Sequence, residues 1–250
     1  VIKLFDMTVA TTGINEQQAK SNGYEYEKVI LTQNSHAGYY PNATAMTLKL
    51  IFERKSLKIL GAQIVGYDGV DKRIDVIATA IRAGLSADWL KDLDLAYAPP
   101  YSSAKDPVAM SAYVASNILN GKMTPLYWRD LLSTSREERV LIDVRTPEEY
   151  ALGSIDDAIN IELDELRQRL DEIPHDKPIF LFCGVGLRGY LASNILKANG
   201  YRDVRNLIGG IRTYNIATAN YSKAVSNDVD DDDIKSHIPE ERSVAKVVVD

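Results

Sequence analysis

The chain of 250 residues has one cysteine, Cys183, and its neighbours could make and hold a reactive thiolate. A short apolar run precedes the thiol, and a glycine-rich stretch that reaches Arg188 follows it. The predicted catalytic residues are Cys183 and Arg188, and the residues predicted to surround a bound anion are Gly184, Val185, Gly186, Leu187 and Gly189. Because the thiolate is the nucleophilic form of cysteine, this pattern predicts nucleophilic chemistry at sulfur.

The elements on either side of Cys183 predict a strand-to-helix turn. Ile179–Phe182 is typical of a buried parallel strand. Residues 190–199 have apolar side chains at helical spacing and precede Gly200, which can cap the end of a helix. Backbone N–H groups and the positive end of the helix would then converge on the thiol, and we expect all three glycines to take a positive φ. With the permanent charge of Arg188, these effects favour the thiolate at neutral pH.

Three other interpretations of this loop stay open. Its glycines fit the dinucleotide pattern G-x-G-x-x-G, although that pattern alone is weak and a thiol directly before its first glycine is unusual. A cysteine phosphatase would have one residue more between cysteine and arginine than the four found here, and the smaller loop suits a terminal sulfur atom better. A free cysteine is also commonly a small buried hydrophobe without chemistry.

Several ordered motifs extend the pattern over residues 130–217. They are Val140-Leu-Ile-Asp143-Val-Arg145-Thr-Pro-Glu148-Glu149-Tyr150, Gly153-Ser-Ile155, Ala158-Ile-Asn160-Ile161, the Cys183 loop and Leu207-Ile-Gly209-Gly210-Ile211. With these motifs the segment resembles a single-domain rhodanese, which implies an α/β fold with a central parallel sheet. The resemblance also implies a sulfurtransferase in which the Cys183 thiolate takes sulfur from a donor, holds it as a persulfide in the loop and passes it to a nucleophilic acceptor.

Two positions depart from the rhodanese pattern. Ser154 stands where many relatives have histidine, and Tyr214 stands where they have tryptophan. Neither residue is the nucleophile, so we expect packing to be affected more than chemistry. Asp143 and Arg145 are expected to form a structural pair beside the loop, and direct substrate binding by them is the alternative.

The first 122 residues show strands followed by helices. Strands are predicted at 29–33, 46–53 and 57–67, with a hairpin turn at 54–56, and helices are predicted at 70–83 and 106–119. This order predicts an α+β domain, with an antiparallel sheet and helices against it. The Lys72-Arg73 pair could meet an acidic or phosphate group, but it is expected on the exposed face of the first of these helices.

The same segment carries a second set of ordered motifs. They are Thr11-Thr-Gly13, His36-Ala-Gly38-Tyr39-Tyr40-Pro41, residues 59–66, residues 70–75 and residues 95–107. With them the segment is similar to the dimerisation domain of flavin- and pyridine-nucleotide-dependent disulfide reductases, in particular those of the coenzyme A-disulfide reductase and NADH oxidase type. The resemblance implies a homodimer in which Tyr39 and Tyr97, with Tyr40 and Tyr101 as neighbours, contact the substrate sulfur in the partner's active site. Simple packing of these tyrosines at the dimer interface is an equal alternative.

A reductase fused to a rhodanese implies a parent enzyme that uses FAD and NAD(P)H on coenzyme A disulfide, coenzyme A persulfide or polysulfide. The chain starts without methionine, as if in mid-strand, so we expect a fragment that lacks the N-terminal FAD and NAD(P)H domains and binds no cofactor alone. Its expected partners are a second copy, those domains, a sulfur donor and a thiol acceptor such as coenzyme A or polysulfide. The alternatives are a non-catalytic dimerisation and interaction module with an idle loop, or part of an NADH oxidase-like enzyme.

Composition excludes several other classes of function. With 29 Lys and Arg against 35 Asp and Glu, the net charge of −6 predicts no nucleic-acid surface. No apolar run approaches the roughly 20 residues of a membrane span, so no membrane partner is expected. One reactive thiol indicates a reducing compartment, hence the cytoplasm, and the three scattered histidines predict no metal site.

Three segments are therefore predicted. Residues 1–122 form the reductase-type dimerisation domain, and residues 123–217 form the rhodanese domain with a linker helix at 126–132. Residues 218–250 comprise an acidic linker at 227–233 and a strand-like end at 244–250 that would begin a further, truncated domain.

Overall fold

The computed structural model describes residues 1–219 and divides the chain into two compact units. The first unit comprises residues 1–113 and the described residues from 215 onward, and the second comprises residues 114–214. The acidic linker and the terminal strand predicted from the sequence lie outside the described residues.

The first unit is built on a five-stranded antiparallel sheet. Its elements are β1 (Ile2–Leu4), β2 (Met7–Gly13), α1 (Glu16–Ser21), β3 (Tyr26–Asn34), β4 (Ala45–Glu53), β5 (Ile59–Gly66), α2 (Val70–Arg82) and α3 (Pro107–Leu119), which crosses the boundary between the units. The strands lie in the order β1-β2-β5-β4-β3, and α2 packs against β2 and β5. The predicted α+β fold is confirmed.

Helix α2 follows its hydrophobic pattern except at one position. It begins after Gly69, which has a φ of 68°, and it buries Ile74 and Ile77 at helical spacing. The prediction that Arg73 lies on the exposed face is wrong, because its side chain is 1% exposed. Burial is possible because the Arg73 guanidinium donates from Nε to Asp106 Oδ2 at 3.0 Å, and a buried charge needs such a partner.

The second unit is built on a five-stranded parallel sheet. Its elements are β6 (Thr124–Leu126), α4 (Trp128–Ser133), β7 (Val140–Asp143), α5 (Pro147–Ala151), β8 (Ile159–Asn160), β9 (Ile179–Phe182), α6 (Leu187–Ala198), β10 (Val204–Leu207) and α7 (Gly210–Thr218). The strands lie in the order β6-β10-β9-β7-β8, and every neighbouring pair is parallel. The α/β fold with a central parallel sheet is confirmed.

Strand β9 occupies the centre of this sheet, and both of its faces are covered. Ile179 and Leu181 pack in one hydrophobic cluster, and Phe180 and Phe182 pack in another. This explains its continuous apolar sequence, because a strand that is buried on both faces does not alternate. Cys183 follows directly and so lies at the carboxyl edge of the central strand, where parallel sheets place their ligands.

Helix α6 and several strands of the second unit differ from the sequence prediction. Helix α6 begins at Leu187, three residues before the predicted start at 190, so Arg188 and Gly189 belong to its first turn. Among the strands, only β9 is predicted from the sequence. The missed strand β6 is a three-residue edge strand that contains Pro125 and pairs, within the described residues, with β10. None of the helices within residues 1–219 combines the length and the hydropathy needed to span a bilayer.

Candidate functional site

Cys183 is a free thiol that is 2% exposed and receives a hydrogen bond from the backbone. The N–H of Gly186 donates to Cys183 Sγ at 3.1 Å. Because this N–H precedes the first turn of α6, the positive end of the helix lies beside the sulfur. The Gly186 amide and the N-terminus of α6 therefore both lie at Sγ.

Gly186 can direct its N–H to the sulfur because it has a φ of 110°. Its carbonyl oxygen accepts hydrogen bonds from the Tyr190 N–H and from Asn206 Nδ2, both at 3.0 Å. Asn206, on β10, is 1% exposed and thus holds this peptide from inside the domain. The sequence analysis did not identify Asn206, which stands apart from the loop in the sequence.

The other two glycines of the loop do not have the positive φ expected for them. The prediction is wrong for Gly184 and Gly189, but Gly189 is needed for a different reason. A Cβ at Gly189 would lie 2.1 Å from Asn206 Oδ1, so close packing excludes a side chain there. A Cβ at Gly184 would meet nothing closer than Arg188 Nη2 at 3.8 Å, which is an ordinary contact.

The start of helix α7 fixes the same loop from a second side. The N–H of Ile211 donates to the carbonyl of Cys183 at 2.9 Å, and the N–H of Arg212 donates to the carbonyl of Gly184 at 3.2 Å. Gly210 has a φ of 61°, and a Cβ there would lie 2.4 Å from the Cys183 carbonyl oxygen. The Gly209-Gly210 motif therefore allows α7 to begin directly against the cysteine loop.

Arg188 lies between the Cys183 sulfur and a carboxylate that the sequence analysis did not identify as functional. Its Nη1 and Nη2 atoms donate to the two oxygens of Glu149 at 2.5 and 2.7 Å. The hydrogen bond from Arg188 lowers the pKa of Glu149 to about 2, so the carboxylate is ionised at neutral pH. Glu149, and to a smaller extent the Cys183 sulfur, raise the pKa of Arg188.

Val185 and Leu187, two of the residues predicted to surround a bound anion, have exposed side chains, whereas the Cys183 sulfur is buried. Val185 is 41% exposed and Leu187 is 65% exposed, so the loop presents two apolar side chains to solvent. Leu191, one turn after Leu187 on α6, is also 44% exposed.

Asp143 and Arg145 form a buried pair at the end of β7. Arg145 Nη2 donates to Asp143 Oδ2 at 2.7 Å and to the Gly153 carbonyl at 2.7 Å. Ser154, at the position where many rhodaneses have histidine, donates its hydroxyl to Asp143 Oδ2 at 2.8 Å. These contacts tie β7 to the segment after α5.

The structure brings Tyr39 and Tyr97 of the first unit together, although they are 58 positions apart in the sequence. The hydrogen bond between Tyr39 and Tyr97 raises the pKa of the Tyr39 phenol, and both rings are exposed. Tyr40 and Tyr101 are also exposed, and the Tyr40 ring meets the edge of His36. The four tyrosines thus lie on two loops that follow β3 and precede α3.

The buried Arg73 side chain contacts both of the loops that carry the tyrosines. Its Nη2 donates to the carbonyl of Ser35 at 2.8 Å, next to the loop that carries Tyr39. The same guanidinium binds Asp106 and the hydroxyl of Ser102, at the end of the other loop. Among the described residues no group of three His, Cys, Asp or Glu side chains is placed to hold a metal ion.

Two family models match the chain, one for each kind of sheet. The dimerisation domain of pyridine nucleotide-disulphide oxidoreductases matches residues 1–108, and the rhodanese-like domain matches residues 128–217. The chain joins a reductase dimerisation domain to a rhodanese-like domain. Both resemblances inferred from the sequence motifs are confirmed.

Proteins with the same combination are found among solved structures. The reduced Bacillus anthracis CoADR-RHD is 54% identical, with a TM-score of 0.82 over 85% of this chain and 38% of that chain. A NAD-dependent persulfide reductase from A. fulgidus is 47% identical, with a TM-score of 0.76 over 84% of this chain and 37% of that chain.

The curated relatives match the dimerisation domain. Coenzyme A disulfide reductase of Staphylococcus epidermidis is 40% identical over 115 residues, which are 46% of this chain and 26% of the relative. The chain therefore spans about a quarter of the length of these relatives.

Proposed function

We propose that the rhodanese-like domain is a sulfurtransferase that carries sulfur as a persulfide on Cys183. The observation that carries this proposal is the Gly186 N–H on Cys183 Sγ at 3.1 Å, at the N-terminus of α6 and beside Arg188. Donors placed in this way stabilise an anionic sulfur, whether it is the free thiolate or the terminal atom of a persulfide.

In the first step the Cys183 thiolate attacks the sulfane sulfur of a donor. A new S–S bond forms to Cys183, the donor's S–S bond breaks, and the leaving group departs with the electron pair. In the second step a nucleophilic acceptor attacks the terminal sulfur of the persulfide, and the Cys183 thiolate is released. In both steps the loop must stabilise negative charge on a sulfur atom at Cys183. The Gly186 amide and the N-terminus of α6 are placed to do this.

The same geometry makes a phosphatase or a dinucleotide site a poorer fit. The loop between Cys183 and Arg188 is one residue shorter than that of cysteine phosphatases, and Arg188 is bound on two nitrogens by Glu149. A dinucleotide site would need the G-x-G-x-x-G glycines to face the ligand. Here the Gly186 N–H is directed at the thiol, and Asn206 fills the space beside Gly189. These residues do not fit FAD or NAD(P)H, so neither has a place in the steps above.

For the parent protein we propose a flavin-dependent NAD(P)H reductase that acts on coenzyme A disulfide, coenzyme A persulfide or polysulfide. The names of the relatives support this, since they include a coenzyme A disulfide reductase and a persulfide reductase. FAD and NAD(P)H would be bound outside the residues discussed here. The thiol acceptor or donor at Cys183 would then be coenzyme A or a polysulfide, in the reducing cytoplasm.

We propose further that the dimerisation domain predicted at residues 1–122, with its tyrosine loops, builds a homodimer. The dimerisation-domain family and the exposed tyrosine rings support this. The hydrogen-bonded pair of Tyr39 and Tyr97 would contact the substrate sulfur of the partner subunit, because a phenol can donate to a leaving thiolate. Tyr40 and Tyr101 would be its neighbours at the interface.

A sulfurtransferase assay separates this proposal from an idle interaction module. The chain is incubated with a sulfane donor and cyanide, and thiocyanate is measured for the wild type, Cys183→Ser and Arg188→Gln. The proposal expects turnover that is abolished by Cys183→Ser and strongly reduced by Arg188→Gln. Absence of turnover with thiosulfate, polysulfide and an organic persulfide would favour the idle module, or an NADH oxidase-like parent.

A further inference from the structure

Arg188 forms an ion pair with Glu149, and the Glu149 carboxylate is itself held in place by other contacts. Glu149 comes from a different part of the domain, 39 residues earlier, in the first turn of α5. Its N–H donates to Thr146 Oγ1 at 3.3 Å, and its Oε2 accepts from the Thr146 N–H at 3.1 Å, which is a capping box. The carboxylate that meets Arg188 is therefore fixed by the start of α5 and is not a freely rotating surface acid.

This arrangement changes the charge that a ligand meets at Cys183. Arg188 and Glu149 carry opposite charges at neutral pH, and the thiolate adds one negative charge. Arg145, the other arginine near α5, is bound to the buried Asp143. Val185 and Leu187 of the loop are apolar and exposed. A dianionic donor would thus meet two negative charges, on Glu149 and the thiolate, with Arg188 as the positive charge paired to Glu149.

We propose that Glu149 is a specificity-determining residue that disfavours dianions at Cys183. The loop would accept sulfur from donors with little charge at the reacting end, such as an organic persulfide, in preference to thiosulfate. This inference rests on the proposed sulfurtransferase function and adds to it the class of donor. Arg212, at the start of α7, also has an exposed side chain. Its positive charge is the same with and without Glu149, so the effect of Glu149 is measured as the change when that carboxylate is removed.

Both donors complete the same reaction with different leaving groups. With an organic persulfide RS–SH, the Cys183 thiolate bonds to the outer sulfur, the S–S bond breaks and RS⁻ leaves with the electron pair. With thiosulfate, the thiolate bonds to the sulfane sulfur and sulfite leaves as a dianion. The total charge of the reactants is two units more negative in the second case, and Glu149 opposes that extra charge.

The experiment compares Glu149→Gln with Glu148→Gln as a matched control. Glutamine at 149 keeps the shape and can keep the capping box, whereas Glu148 is an exposed neighbour on the same turn. Single-turnover loading of Cys183 is followed by mass spectrometry with thiosulfate and with an organic persulfide. In Glu149→Gln the ratio of the thiosulfate rate to the persulfide rate should rise by about tenfold, since one negative charge near the reacting atoms is removed. Glu148→Gln should leave the ratio unchanged.

An equal fall in both rates would show that Glu149 only positions Arg188, and an unchanged ratio would overturn the inference while sulfur transfer itself stands. A second measurement does not depend on sulfur transfer. In a Cys183→Ser background, inorganic sulfate is titrated while the Gly186 amide is followed by NMR. Glu149→Gln should tighten sulfate binding by about tenfold, and no tightening would overturn the inference even if no persulfide ever forms.

Discussion

At the scale of single residues, the chemistry of Cys183 depends on how one backbone amide is directed. The thiol is buried, and Gly186 reaches it only because its φ of 110° turns the N–H inward. The residue types of Cys183 and Arg188 are sufficient to predict a nucleophile and a cation. The role of Glu149 could not be predicted, because its spacing from Thr146 is that of an ordinary capping box.

The substitution Gly186→Ala tests the importance of this backbone conformation. A side chain at a positive φ is strained, so the free energy of unfolding of the second unit should fall by about 1–3 kcal/mol. Persulfide loading should slow as well, because relaxation of the strain turns the N–H away from Sγ. Chemical denaturation measures the first effect and mass spectrometry measures the second.

Gly184→Ala is the control for that substitution. Gly184 does not have a positive φ, and its Cβ would meet nothing closer than 3.8 Å, so its stability should change little. If the two variants were equally stable, the strained conformation at Gly186 would not be a requirement of the loop.

At the scale of elements, the strands and helices with strong patterns were predictable and the short or unusual ones were not. Strand β9 and helix α2 have unambiguous apolar patterns, so their predicted bounds are close to those observed. The start of α6 was placed too late because it follows a glycine with no side-chain cap. Arg73 was assigned to the surface because a charged side chain on a helix is seldom buried.

The buried pair of Arg73 and Asp106 connects elements that carry the tyrosines. Because Asp106→Asn leaves the guanidinium without its countercharge, the free energy of unfolding of the first unit should fall by about 3–5 kcal/mol. The loops should separate, so the pKa of Tyr39 should fall towards its ordinary value as the hydrogen bond between Tyr39 and Tyr97 is lost. Denaturation and NMR titration of ¹³C-labelled tyrosine measure the two effects. Lys72→Gln is the neighbouring control, and an unchanged Tyr39 pKa in Asp106→Asn would contradict a clamp on the loops.

The sheet of the first unit contains a second buried charge cluster that predicts a pH dependence. Burial alone would raise the pKa of Glu16, but hydrogen bonds from Lys28 and Lys49 outweigh it and lower the pKa to about 2 from 4.5. Folding therefore favours the ionised form. The resulting stabilisation of about 3 kcal/mol is complete above the ordinary pKa and is lost as the pH falls from about 4.5 towards 2.

Glu16→Gln should remove this part of the acid sensitivity. Hydrogen exchange of the β4 amides at pH 7 and pH 3 should show a smaller loss of protection in the variant than in the wild type. Glu25→Gln removes an exposed carboxylate that pairs with Lys55 and should behave as the wild type does. Equal acid sensitivity in all three proteins would show that the Glu16 cluster does not stabilise the sheet.

At the scale of the whole molecule, the two units have different sheets and different chemistry. The antiparallel unit presents tyrosine hydroxyls and the parallel unit holds a thiol. The sequence could predict both folds because each unit has several motifs in order. It could not predict the contacts between distant loops, such as that of Tyr39 with Tyr97, without the family resemblance.

If Cys183 carries sulfur as proposed, intact-mass spectrometry should detect the persulfide on the chain. The chain is incubated with polysulfide, thiosulfate or an organic persulfide, desalted and weighed, and then treated with cyanide and weighed again. We expect a gain of one sulfur atom that survives desalting, is removed by cyanide and is absent in Cys183→Ser. An unchanged mass with every donor, or the same gain in Cys183→Ser, would contradict the proposal.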